Sequence, residues 1–286
     1  MVEVVQCVPN FSEGRRQEVV DALVAACRGP GVREQVLENR VTEAFLAATG
    51  QAGTGAGGAG EASAPSFAHM ALGAFIDALA AGTAAPGGGT ASALAGAMAA
   101  GLIAMVARLS QGKRFAEVAG EMARVAREAD VRRSRLLDLA DADSAAFDRV
   151  MAAYKLPKDT DAEKAARAAA IAGALMGAAR VPLDVARTAI ELVPLAAAVA
   201  ERGNPASASD AAVAAHLIQT AVLGALLNVE INAGSLVRLG VPEAARAAEE
   251  FRGAAADLRG RLQGTLPPVL AAAEAHIRGP EAPAGR

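Results

Sequence analysis

The chain has 286 residues, enough for one large domain or two small ones around a sizeable core; alanine supplies about a quarter of them and aromatics 3%, with no Trp. Alanine favours helices and disfavours strands, so a β-sandwich or barrel is excluded. With 28 Lys+Arg against 31 Asp+Glu, a net charge of −3 and only two cysteines, the chain has neither a nucleic-acid surface nor a disulfide framework and fits a reducing, cytoplasmic compartment.

Residues 1–49 predict a short strand at 2–8, a turn (PNFSEG) and two amphipathic helices; the opening residues contain no apolar signal region. One unpartnered strand cannot close its hydrogen bonds, so this region reads as incomplete by itself. Residues 50–65 (GQAGTGAGGAGEASAP) are a flexible linker. Residues 66–279 are helical throughout, and residues 280–286 form a disordered tail.

In the helical part we expect helices at 66–82, 89–110, 115–155, 161–201, 207–235 and 241–277. Pro86 with Gly87, Gly88 and Gly89 separates the first two, and Pro157 ends the third. Thr160 and Glu163 form a capping box at the start of the fourth. Pro182 and Pro194 should kink or split that helix. Asn204-Pro205 breaks the fourth from the fifth, which Ser207 or Ser209 caps; Gly240 and Pro242 precede the sixth. The resulting fold class is all-α, an antiparallel helical bundle. Two uncharged stretches, between Asp77 and Arg108 and between Asp210 and Glu230, approach the length of a membrane span. The first is interrupted by Pro and Gly and rich in small residues, and the second carries His216, Gln219, Thr220 and Asn228. Both read as close-packed helices of a bundle, with no membrane partner.

Along LLDLADADSAAFDRVMAAY, residues Leu136, Ala140, Asp143, Phe147, Val150 and Tyr154 share one helical face; Asp138, Asp141, Ser144 and Asp148 fall on the polar side. Asp143 is thus an acid on an apolar stripe, where desolvation raises its pKa towards neutral proton transfer. Such an acid can alternatively pair with an arginine or cap a neighbouring helix. The segment TAAPGGGTASA places three glycines at a helix start, exposing backbone N–H donors suited to a substrate oxygen, or simply permitting tight packing. In GNPASASD and the helix after it, Asn204, Asp210, Asn228 and Asn232 are polar groups that need partners, either helix ends or a ligand with amide-like edges. Lys113 and Arg114 complement the negative end of a helix dipole. His69, His216 and His276 are isolated, so no metal is expected, and no nucleophile elbow is present.

Taken in order, TAAPGGGTASA, LSQGKRF, DADSAAFDRVMAAYKLPKDT and GNPASASD resemble the formiminotetrahydrofolate cyclodeaminase family over residues 66 to about 240. The resemblance implies a homodimeric helical fold, a tetrahydrofolate substrate and no further cofactor. It implies ammonia loss from 5-formiminotetrahydrofolate to give 5,10-methenyltetrahydrofolate, with Asp143, the second Asp of DAD, as catalytic acid. Methenyltetrahydrofolate cyclohydrolases share the fold and similar motifs, and a non-catalytic helical scaffold is the alternative of another class. For binding, we expect Gly87, Gly88, Gly89 and Thr90 to take a substrate oxygen. Asn204, Asp210 and Asn228 would meet the pterin or formimino edge, and Lys113 or Arg114 the anionic tail. Residues 1–14 and 33–46 resemble the two ends of a glutamate formiminotransferase domain whose middle is missing, implying no transferase activity.

Overall fold

Each helix begins and ends where local chemistry stops it. The computed structural model describes residues 66–67 and 70–278; the strand expected at 2–8, the transferase-like segments, the linker, His69 and the tail lie outside them. The described residues form seven helices and contain no strand: α1 (Leu72–Ala80), α2 (Gly88–Leu109), α3 (Ala119–Tyr154), α4 (Asp161–Ile190), α5 (Val193–Arg202), α6 (Ala208–Arg238) and α7 (Pro242–Arg278). Short 3₁₀ turns at Lys113–Phe115 and Pro205–Ser207 lead into α3 and α6. The first expected helix is shorter than predicted, beginning six residues later.

The capping box is present: Glu163 N–H donates to Thr160 Oγ1 at 3.2 Å, and Thr160 N–H donates to Glu163 Oε2 at 2.8 Å. The expected helix 161–201 is two helices, because Pro194 sits in the first turn of α5, where a missing N–H costs nothing. Ser207 precedes α6 but makes no side-chain cap; Asn204 instead accepts from Ala206 N–H at 3.1 Å and caps the preceding turn. Gly240, at φ 68°, turns the chain from α6 into α7, a left-handed conformation that favours glycine.

Pro182 stays inside α4 and is buried. It has no N–H for the carbonyl of Ala178 one turn earlier. Asn232 of α6 supplies the missing donor, its Nδ2 lying 3.0 Å from Ala178 O. Pro267 and Pro268 interrupt α7 on an exposed face, where water can serve the freed carbonyls.

The core is built on α2, which packs against α3 and α6; α6 in turn packs on α4 and α7. Ala93, Ala99, Ala100, Ile103, Ala104, Val106 and Ala107 of α2 are all fully buried. Small residues set the helix separations: a Cβ on Gly96 would lie 3.1 Å from Leu136 Cδ1 of α3 and 3.3 Å from Ala221 Cβ of α6. Matching levels run in opposite directions, with Gly96 beside Ala221 and Gly88 beside Asn228, so α2 and α6 are antiparallel; Gly96–Leu136 and Gly89–Asp143 show the same for α2 and α3. Two helical segments, Gly88–Leu109 and Pro205–Arg238, are long and apolar enough to cross a membrane; 67% of the first apolar window and 44% of the second are buried within the bundle.

Asn232→Leu is expected to destabilise the fold by about 1–3 kcal/mol, because it leaves the Ala178 carbonyl unpaired. Adding Pro182→Ala should recover much of that loss, since alanine at 182 supplies the helical N–H. Chemical denaturation of the single and double variants measures the coupling; strict additivity would refute it.

Candidate functional site

At its N-terminal end α2 stops while α3, α4 and α6 continue. The space left below its first turn is a cavity of about 340 Å³. Gly87, Gly88 and Gly89 form its inner end; Asp143, Phe147, Val150, Met151 and Tyr154 of α3 line one side; Leu175 and Ala178 of α4 and Asn228, Ile231 and Asn232 of α6 line the others. Among the described residues its wall is largely apolar and carries no Lys or Arg.

Asp143 stands where α3 meets the first turn of α2. Thr90 Oγ1 donates to Asp143 Oδ2 at 2.9 Å, and the Thr90 backbone N–H is near enough to this carboxyl to favour its charged form. Thr90 itself is fully buried. The N-cap residue Gly87 has no side chain, so a carboxyl from another helix closes α2. Two sequence expectations therefore hold together: Asp143 caps a neighbouring helix, and it is a desolvated acid. Burial pushes its pKa above the ordinary 3.8, while the side-chain bond and the backbone N–H of Thr90 pull downward without cancelling the rise.

Gly89 has a packing reason to be glycine. A Cβ there would lie 2.6 Å from Asp143 Oδ2 and 2.7 Å from its Cγ. Gly88 is less constrained, the nearest side-chain atom being Asn228 Nδ2 at 3.6 Å from a Cβ.

The other residues of the DAD segment have separate positions. Asp141 accepts from Ser66 Oγ and Phe67 N–H, each at 2.6 Å, and so holds the segment ahead of α1. Ser144, expected on the polar side, is buried, lines the cavity and has no hydrogen-bond partner for its Oγ. The helical wheel misplaced it because α3 is flanked on two sides, by α2 and α4, rather than along a single stripe.

The structure divides the predicted site residues into two groups. Gly87, Gly88, Gly89, Thr90, Asp143 and Asn228 come together; Asn232, noted in the sequence only as a companion of Asn228, joins them. Lys113, Arg114, Asn204 and Asp210 do not. Lys113 and Arg114 are exposed in the turn after α2, with the Arg114 guanidinium 5.8 Å from the Phe115 ring centroid. That turn is beyond the far end of α2, about 33 Å away along the helix axis. Asn204 N–H donates to Ser110 Oγ at 2.8 Å at that same end. Asp210 lies in the first turn of α6, about 27 Å along the helix from Asn228. Within one chain these four residues do not line the Asp143 cavity: linear order reveals which motifs exist, not which helix ends coincide. Among the described residues, no group of three or more His, Cys, Asp or Glu is arranged to hold a metal ion.

The raised pKa has a stability consequence. Between the unfolded aspartate value and the raised folded one, the native state binds more protons, so the contribution of Asp143 to stability falls as pH rises through that window. Asp143→Asn keeps an acceptor for Thr90 without a buried charge. It should be at least as stable as the wild type at pH 8, with the advantage disappearing in acid below the ordinary aspartate range. Thermal unfolding of both proteins across pH tests the sign.

Comparison with known proteins gives this geometry a lineage. The family profile described as formiminotransferase-cyclodeaminase matches residues 71–241. A methenyltetrahydrofolate cyclohydrolase of Methylorubrum extorquens is 45% identical over 163 residues, which cover 57% of this chain and 78% of that protein. The formimidoyltransferase-cyclodeaminase of Sus scrofa is 39% identical over 168 residues, 58% of this chain but only 31% of the longer relative. The crystal structure of formiminotetrahydrofolate cyclodeaminase from Thermotoga maritima superposes with a TM-score of 0.55 at 31% identity, covering 71% of this chain and 98% of the other. The chain belongs to the formiminotransferase-cyclodeaminase family, its matched region coinciding with the helices that enclose Asp143.

Proposed function

We propose that this chain is a formimidoyltetrahydrofolate cyclodeaminase, converting 5-formiminotetrahydrofolate to 5,10-methenyltetrahydrofolate with release of ammonia. The observation that carries this reading is the desolvated Asp143 carboxyl in a cavity where it is the one acid among the described lining residues. The name borne by the Thermotoga maritima structure, which this chain covers almost completely, supports the same reading.

The difficult step is departure of the nitrogen. N10 attacks the formimino carbon, forming the C–N10 bond while the imino π electrons move onto nitrogen. N10 then loses its proton, and the former imino nitrogen must be protonated before its C–N bond breaks, because an amide anion is too poor a leaving group. The electron pair of that bond leaves with ammonia, and the N5 lone pair closes the methenyl cation. One proton is consumed overall. Asp143, its pKa raised by burial, supplies the proton to the departing nitrogen and can relay the one released from N10. Gly87, Gly88 and Gly89 at the start of α2 line the same space, and a helix start of this kind suits a substrate oxygen. The reading carries with it a cytoplasmic place in one-carbon metabolism and a homodimeric assembly.

A second reading, methenyltetrahydrofolate cyclohydrolase, is favoured by the 45% identity to the Methylorubrum extorquens protein. It places water at the same carbon. Incubation with each folate separates the readings: appearance of the methenyl chromophore from 5-formiminotetrahydrofolate supports the cyclodeaminase, accelerated disappearance of methenyltetrahydrofolate supports the hydrolase, and neither supports a non-catalytic scaffold.

Asp143→Asn should lower turnover by about a hundredfold to ten-thousandfold with the fold retained. Gly89→Ala should displace the Asp143 carboxyl and cost about a hundredfold, whereas Gly88→Ala should cost far less. Steady-state kinetics beside thermal melts checks the pair; equal effects at 88 and 89 would contradict the assignment.

A further inference from the structure

From the first turn of α2 the cavity extends in the direction in which α3 and α6 both run, since each is antiparallel to α2. Along α3 the lining residues proceed from Asp143 to Tyr154, about 16 Å further out. Along α6 they proceed from Asn228 to Ser235, about 10 Å further out. Tyr154 and Ser235 are the outermost residues of the wall on their helices.

Each of these two residues holds an arginine. Arg167 of α4 donates through Nε and Nη2 to Tyr154 O, at 3.3 and 3.0 Å, and its guanidinium carbon lies 5.7 Å from the Tyr154 ring centroid. Arg238, in the last turn of α6, donates through Nη2 to Ser235 Oγ at 2.8 Å, and its Nη1 would lie 3.5 Å from a Cβ on Gly234. Its side chain thus folds back along the helix onto a residue of the wall. Of the five N–H groups of a guanidinium, Arg167 spends two on these contacts and Arg238 one. Among the described residues neither is paired with a carboxylate, whereas Arg108, Arg132, Arg187 and Arg252 are.

We propose that Arg167 and Arg238 bind the carboxylates of the folate's glutamate tail, so that the substrate lies with its one-carbon end against Asp143 and its anionic end at the rim. This rests on the reading of the cavity as a folate site. A folate needs two unlike surroundings, one for its uncharged pterin and one for its dianionic tail, held apart by the p-aminobenzoyl unit. The cavity has the same polarity: no Lys or Arg among the described residues of its wall, then two guanidinium groups at its outer end. A cation beside Asp143 would favour the ionised carboxyl and oppose proton donation, so partners for the tail belong at a distance. Exposed ion pairs are ordinarily weak, because two long side chains must be immobilised. Here each arginine is already held by a residue of the wall, which lowers that cost. Lys113 and Arg114, expected from the sequence to meet the tail, stand beyond the other end of α2.

The test uses whichever of 5-formiminotetrahydrofolate and methenyltetrahydrofolate the wild type converts, beside a counterpart in which a neutral primary amide replaces the glutamate. Loss of the glutamate should raise KM about tenfold and leave kcat nearly unchanged, because the tail is held equally in the ground and transition states. In the Arg167→Gln/Arg238→Gln protein the two compounds should have similar KM values. Each single substitution should remove part of the difference, and Arg167→Lys and Arg238→Lys, which keep the charge, should retain most of it. Added salt should raise KM for the wild type's folate and leave the amide unaffected. Thermal melts check folding; if Arg167→Gln fails to fold, Arg238→Gln alone must still narrow the difference. The proposal is overturned by a KM difference that survives in the folded variants, by its absence in the wild type, or by its loss in Lys113→Gln/Arg114→Gln instead. Any of these with turnover intact sinks this inference alone, whereas no turnover of either folate sinks the folate reading with it.

Discussion

The arrangement depends on how α2 is closed at its N-terminus. The helix opens on glycines that offer no side chain, so its first free N–H groups must find acceptors elsewhere. Asp143, projecting from α3, meets Thr90 through both its hydroxyl and its backbone. That contact joins the two central helices at one level and excludes a side chain at 89. It also leaves a carboxyl where burial favours its protonated form. Structural closure and chemical capability arise from the same atoms, and the acid cannot be moved without reopening the helix.

Close approach elsewhere makes the cavity possible. Gly96 lets Leu136 and Ala221 meet α2 at nearly van der Waals limits, and the fully buried alanines along α2 leave little void. Because the bundle is tight along α2, ending that helix early while its neighbours continue opens one defined space. Pro182 adds a second local constraint. Its missing N–H is answered by Asn232, and that answer turns the oxygen of the carboxamide away from the backbone. A defect in one helix thereby orients a polar group on another. The exposed prolines of α7 show the contrast, since solvent can satisfy what they leave open.

Much of this was legible in the residues themselves. Proline, glycine and the Thr160–Glu163 pair placed most helix boundaries, because these signals act over one turn. The 3.6-residue period exposed Asp143 as an acid on an apolar stripe. The pattern was less informative for Ser144, whose burial depends on a second neighbouring helix. It marked Asn232 as needing a partner without naming one, because that need arises from a proline 50 positions earlier in the chain.

The sequence by itself determined the all-α class and the family and singled out Asp143 as an acid on an apolar stripe, since helix propensity, local punctuation and ordered motifs are short-range properties. Only the tertiary structure decided which motifs share a site. Gly87–Gly89, Asp143, Asn228 and Asn232 meet because α2 runs antiparallel to α3 and α6. Lys113, Arg114, Asn204 and Asp210 lie at the opposite end for the same reason. Reversal of direction between packed helices brings residues far apart in sequence to one level and carries sequence neighbours a full helix length away; no local pattern encodes that outcome.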